Sequence, residues 1–138
     1  MTSSPDISKA GEDGPGVSFG LVYGEVTAER VEATVPVEPA VQQPFGLVHG
    51  GVYSTVAESI CSSATAVAVA SEGKIAMGQA NSATFLRPIT EGSVHAVATR
   101  RHAGRTTWIW DVDFTDDNGK LAAIVRMTIA VRKAPQGA

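Results

Sequence analysis

An antiparallel sheet wrapped around one long central helix, an α+β architecture, is the fold this sequence predicts. Two observations point to it. Residues 50–71, GGVYSTVAESICSSATAVAVAS, are almost all small or apolar, and their polar members recur at helical spacing. Around that stretch lie runs rich in β-branched and aromatic residues, parted by turns that contain Gly or Pro. A lone helix among strands buries its surface most economically when the sheet curls about it.

Taken in order, residues 1–16 are rich in Ser, Gly, Pro and Asp and have the composition of a disordered tail. The run VSFGLVYGEVTAERVEATVPV then reads as strand, with Val31, Ala33, Val35 and Val37 set against Glu32 and Thr34. Pro36, Pro39 and Pro44 make 38–48 a connection. The helix begins at Gly50 or Gly51 and closes at Glu72-Gly73. Ala57, Ile60, Cys61, Ala64 and Ala68 form one apolar face. Ser54, Glu58 and Ser62, at i, i+4 and i+8, form a narrow polar stripe beside Thr55 and Ser59. Four strands follow, over 75–86, 93–102, 105–116 and 120–132. Arg87-Pro88, Ala103-Gly104 and the hairpin signal Asp117-Asn118-Gly119 separate them, which describes an antiparallel meander. One domain, 17–133, is expected, with a short tail at 134–138.

The totals narrow the function. A chain of 138 residues holds one comfortable core. Its formal charge of −3 argues against a nucleic-acid partner, because such binding depends on neutralising phosphates. The charge is uneven: residues 87–138 carry eight basic and five acidic groups, whereas 1–86 carry three and nine. A phosphate-bearing small ligand therefore fits the C-terminal part. The single cysteine, Cys61, excludes an intrachain disulfide and reads as a packed thiol. The N-terminus lacks the apolar segment of a signal peptide, and the apolar run Ala64–Ala70 is far short of the ~20 residues of a membrane helix. A cytoplasmic protein with no membrane partner is expected.

The chemistry concentrates on the helix. Glycines at a helix start expose the first N–H groups, which attract an anion or a polarised carbonyl oxygen, the physics of an oxyanion hole. Gly50-Gly51 serves equally well as a tight turn. Glu58 is a carboxylate on a small-residue helix, fit to act as nucleophile or as general base, or else to pair structurally with Arg. Eight residues separate Gly50 from Glu58, so ~12 Å of helix lies between them. No single carbonyl touches both. If the two act on one atom, two helices must lie antiparallel about a two-fold axis. His95 and His102 have no second ligand at metal spacing, so no metal site is expected. Trp108 and Trp110 alternate with Ile109 and share one sheet face, as core or interface residues.

HGGVYSTVAESICSSA, preceded by QQPFG and followed by NSATFLRPITEG and HAGRTTWIWDVDFTDDNGKLAAIVRMTIAVR, resembles the hotdog-fold acyl-CoA thioesterases. Within them it is most similar to the 4-hydroxybenzoyl-CoA subgroup with its acid on the central helix, near the phenylacetate-pathway enzymes. The resemblance implies that Glu58 is the catalytic carboxylate and that Gly50 N–H polarises the thioester oxygen. It implies that Gln43 aligns the thioester, that His49 positions the motif and that Ser62 holds the hydrolytic water. Gln43 and Gly50 of one subunit would face Glu58 of the other in a homodimer, with pairing of dimers into a homotetramer as the family habit. Coenzyme A would be met by Gly51, Arg87, Arg101, Arg105 and Thr106.

The expected activity is hydrolysis of an acyl-CoA, with an aromatic acyl group such as hydroxybenzoyl, and no cofactor beyond the CoA of the substrate. The alternatives are a non-catalytic acyl-CoA-binding protein and an enoyl-CoA hydratase or dehydratase. The latter chemistry usually pairs His with an acid, and the helix itself has no His.

Overall fold

The computed structural model describes residues 15–135. Residues 1–14 and 136–138, most of the two expected tails, lie outside the described residues. Pro15 and Gly16, assigned to the N-terminal tail from sequence, instead open a short helix, α1 (Pro15–Phe19). It stops where Gly20 turns left-handed at φ 74° and Leu21 N–H donates to Gly16 O. Six strands follow in chain order, β1 (Val22–Val26), β2 (Arg30–Pro36), β3 (Lys74–Phe85), β4 (Ser93–Ala103), β5 (Thr107–Thr115) and β6 (Leu121–Lys133). They form one antiparallel sheet in the order β1-β2-β4-β5-β6-β3 around the long helix α2 (Gly50–Val69). This is the hotdog architecture.

Two sequence expectations need correction. The single strand expected over 17–37 is α1 followed by a hairpin of β1 and β2. Its turn contains neither Gly nor Pro. The Thr27 hydroxyl makes it instead, accepting from Arg30 N–H at 2.9 Å and Glu29 N–H at 3.2 Å. The meander is also smaller than expected, because only β4, β5 and β6 follow one another in space. β3 crosses to the far edge and pairs with β6, from Lys74↔Lys133 to Phe85↔Ala123.

Inward-facing residues of every central strand meet α2. Val31, Ala33 and Val35 come from β2, Val94, Ala96 and Ala98 from β4, and Trp108, Trp110, Val112 and Phe114 from β5. The helix answers with Val52, Tyr53, Val56, Ala57, Ile60, Cys61, Ala64, Thr65 and Val69. Small residues let the sheet approach closely, and burial pushes the Cys61 thiol well above its ordinary value, leaving it inert. Trp110 Nε1 donates to Thr65 Oγ1 at 3.0 Å, and Thr65 Oγ1 donates to Cys61 O at 2.7 Å, so these two polar side chains of the core are paired. By length and composition alone Gly50–Glu72 could cross a bilayer, contrary to the shorter run read from sequence, yet the sheet wrapped around it makes it a core helix.

Candidate active site

α2 starts where the sequence put it. His49 is its N-cap, and its Nδ1 accepts from Gly51 N–H at 3.1 Å. Acceptance at Nδ1 places the ring proton on Nε2. Gly51 N–H is thereby occupied, whereas Gly50 N–H has no hydrogen-bond acceptor among the described residues. That free amide sits at the positive end of a helix ~30 Å long. A Cβ on Gly50 would stand 2.7 Å from the Phe85 ring, so the glycine is what lets an aromatic ring cover the helix start.

The connection before the helix is a tight loop. Gln42 bridges to Val48, Gln43 N–H donates to Leu47 O at 2.8 Å, and Gly46 takes φ 91°. The Gln43 side-chain oxygen accepts from Phe45 N–H, which folds it back onto its own loop. Phe45, at the tip, is 88 % exposed. Around the free amide lies a cleft of about 290 Å³, lined by Leu47, Gly50, Tyr53, Phe85, Arg87 and Pro88 among others.

Glu58 lies two turns further along and is exposed in the single chain. It rests on the edge strand: a Cβ on Gly78 would come within 3.0 Å of Glu58 Cδ and 3.2 Å of Oε1. β3 is irregular at this point, with a register shift between Gly78 and Ala80, and Asn81 Nδ2 clips the strand to α2 through Ser54 O at 2.8 Å. One turn beyond Glu58, Ser62 Oγ is buried without a hydrogen-bond partner. The structure therefore sets Glu58 and Ser62 beside one another and keeps Gly50, His49 and Gln43 at the helix start. One chain does not bring the two groups together.

The basic residues separate too. Arg87 lines the cleft at Gly50. Arg101 Nε is 3.4 Å from Asp111, which also takes two hydrogen bonds from Arg126 at 2.7 and 3.0 Å. Those bonds hold the Asp111 carboxyl below its ordinary range. Arg105 and Thr106 occupy the β4–β5 turn, where Thr106 O accepts from Val131 N–H and Arg132 Nη1. That turn lies at the Lys74–Lys133 end of the sheet, opposite the Phe85–Ala123 end that Arg87 follows. His95 pairs with Asp117 at 2.7 Å. Trp108 and Trp110 are core residues, and Arg100 stacks 4.8 Å over the Trp108 ring.

Sequence reading did not single out Gly78, Tyr53 or Phe85. An isolated glycine inside a strand signals a bulge or a close approach, so Gly78 had a legible cue. The two aromatic residues had none, because their role depends on which strand end meets the helix.

A central helix with an open amide at its start and a carboxylate eight residues on, inside a curled antiparallel sheet, is the framework of a hotdog hydrolase. The thioesterase superfamily model matches residues 45–123, and the chain belongs to that superfamily. It is 32% identical over 113 residues to the proofreading thioesterase EntH of Cronobacter sakazakii, covering 82% of each chain. A solved thioesterase of Pseudomonas aeruginosa superposes with TM-score 0.86 at 34% identity, over 94% of this chain and 95% of that one. One from Haemophilus influenzae gives 0.88 at 29%, over 100% and 96%. The chain is a thioester hydrolase.

Proposed function

We propose that the protein hydrolyses an acyl-CoA with an aromatic acyl group, in a homodimer that completes each site with residues of both chains. The observation that carries this reading is the position of Glu58. It is exposed along the unpaired edge of β3, on the Gly78 seat, and ~12 Å from the free Gly50 amide of its own chain. β3 is a long edge strand most of whose residues are exposed, with Met77 and Phe85 among them, which is unusual for an edge left open to water. A second copy paired there in antiparallel sense would run its α2 opposite to the first. Gly50 and Gln43 of one protomer would then face Glu58 of its partner.

In this arrangement Gly50 N–H binds the thioester oxygen and stabilises the oxyanion as it forms. Gln43, released from its loop bond, aligns the thioester, and His49 holds the helix start open. Glu58 attacks the carbonyl carbon or takes a proton from the water that does, and Ser62 Oγ supplies a free partner for that water. CoA leaves as the thiolate and takes up a proton; on the nucleophilic route water then cleaves the acyl–Glu58 anhydride, so both routes consume one water and release the free acid. The chemistry asks for no metal or redox cofactor. Gly51 and Arg87 at one end, and Arg101, Arg105 and Thr106 at the other, are candidates for coenzyme A when two chains share a site. Pairing of dimers into a homotetramer extends the same proposal.

Thiol release with aryl-, short- and long-chain acyl-CoAs tests the reading. Glu58→Gln lowers turnover at least ~10²-fold while keeping size. Co-refolding Glu58→Gln with Gly50→Val protein restores roughly a quarter of wild-type activity, since random pairing makes half the dimers mixed and each mixed dimer rebuilds one site. Absence of rescue would mean that each site belongs to one chain. Tight CoA binding without cleavage would favour a binding protein.

A further inference from the structure

Tyr53 lines the cleft at Gly50, and its hydroxyl, buried behind that wall, is a polar group that hydrolysis leaves unused. Tyr53 is 3 % exposed, and its hydroxyl has no hydrogen-bond partner. Buried hydroxyls are normally paired, so an orphan one is a standing cost to the free protein. Packing fixes its ring against Phe114, at 5.1 Å and 71°, and against Phe85, at 5.9 Å and 35°. Tyr53 lies one turn after Gly50 on the same helix face, and long helical side chains lean toward the N-terminus, so it and the free amide share the cleft. Phe85, 55 % exposed, packs over both.

The rest of the lining is nearly all apolar, from Leu47, Val48, Leu86 and Pro88, with Arg87 as its charged member. Its volume of about 290 Å³ is at the lower end for small-ligand sites, which suits a single ring better than a long chain. Burial raises the Tyr53 hydroxyl above its ordinary value, so it stays neutral and able to donate.

We propose that Tyr53 is a specificity-determining residue whose hydroxyl donates a hydrogen bond to an oxygen carried by the acyl group, selecting oxygenated aryl thioesters over unsubstituted ones. The proposal rests on the acyl-CoA reading above. An aryl group without that oxygen leaves the hydroxyl orphaned in the complex as in the free protein, and discrimination follows from this difference.

The test compares kcat/KM for 4-hydroxybenzoyl-CoA, 3-hydroxybenzoyl-CoA and benzoyl-CoA in wild-type and Tyr53→Phe protein. Wild type favours at least one hydroxylated substrate about tenfold, as one well-placed hydrogen bond allows, and Tyr53→Phe brings the ratio to within about twofold. Thermal unfolding of the variant is unchanged or moves upward, because no bond of the free protein is lost. An equal ratio in the two proteins overturns the assignment, as does a Tm fall of several degrees, the mark of a structural hydroxyl. Calorimetric binding of the same three thioesters to Glu58→Gln protein, with and without Tyr53→Phe, reads discrimination without turnover. A wild-type chain that cleaves no acyl-CoA defeats the hydrolase reading by itself, while the binding ratio still decides the role of Tyr53.

Discussion

β5 and β3 belong to one sheet and do opposite work. β5 is central, paired on both sides, and alternates strictly, with Trp108, Trp110, Val112 and Phe114 inward. β3 is an edge strand, paired only with β6, bulged near Gly78 and open along most of its length. The first converts apolar area into stability. The second spends almost nothing on the core and instead carries the seat of Glu58, the clip to Ser54 and the ring over Gly50. Under the proposed function, stability and chemistry lie on separate strands, and substitutions should separate them as well.

Trp110→Ala sharpens the contrast most. It empties a fully buried indole and strands Thr65 Oγ1 without its donor, so chemical denaturation should show a loss of about 3–5 kcal/mol. Gly78→Ala is its counterpart on β3. The added methyl meets Glu58 at about 3 Å and moves the carboxylate, lowering kcat roughly 10- to 100-fold with little change in Tm. A large Tm loss with normal kcat would erase the proposed division of labour.

The smallest effect concerns the outer face of β5. Arg126 holds the Asp111 carboxyl below its unfolded value, so this pair stabilises the fold above about pH 4 and loses its contribution as pH falls through the folded value. Asp111→Asn should flatten the decline of Tm between pH 5 and pH 3 by only about 2 °C, since the pair is largely solvated. Cooperative acid unfolding abolished by that substitution would make the outer face as important as the core.

Much of the candidate site's placement could be read from residue order. Ser54, Glu58 and Ser62 form a stripe because helical spacing puts them there, with Glu58 exposed and the two serines half-buried. Gly119, in a turn signalled by Asp117-Asn118-Gly119, takes φ 78° as the dipeptide requires. The Thr27 turn was illegible because a hydroxyl replaced the usual Gly or Pro. The return of Gln43 onto Phe45 was illegible because it depends on a side-chain torsion that residue order does not encode.

Local residue order set the helix, where it starts, its polar stripe and the alternation of the central strands, all through neighbours within a few residues. Tertiary structure alone decided that β3 leaves β4 for the far side of β6, and so brought Gly78 beneath Glu58 and Phe85 over Gly50. Pairing partners this far apart in the chain, from Phe85↔Ala123 to Lys74↔Lys133, are chosen by which surfaces can be buried together, and no local pattern encodes that choice.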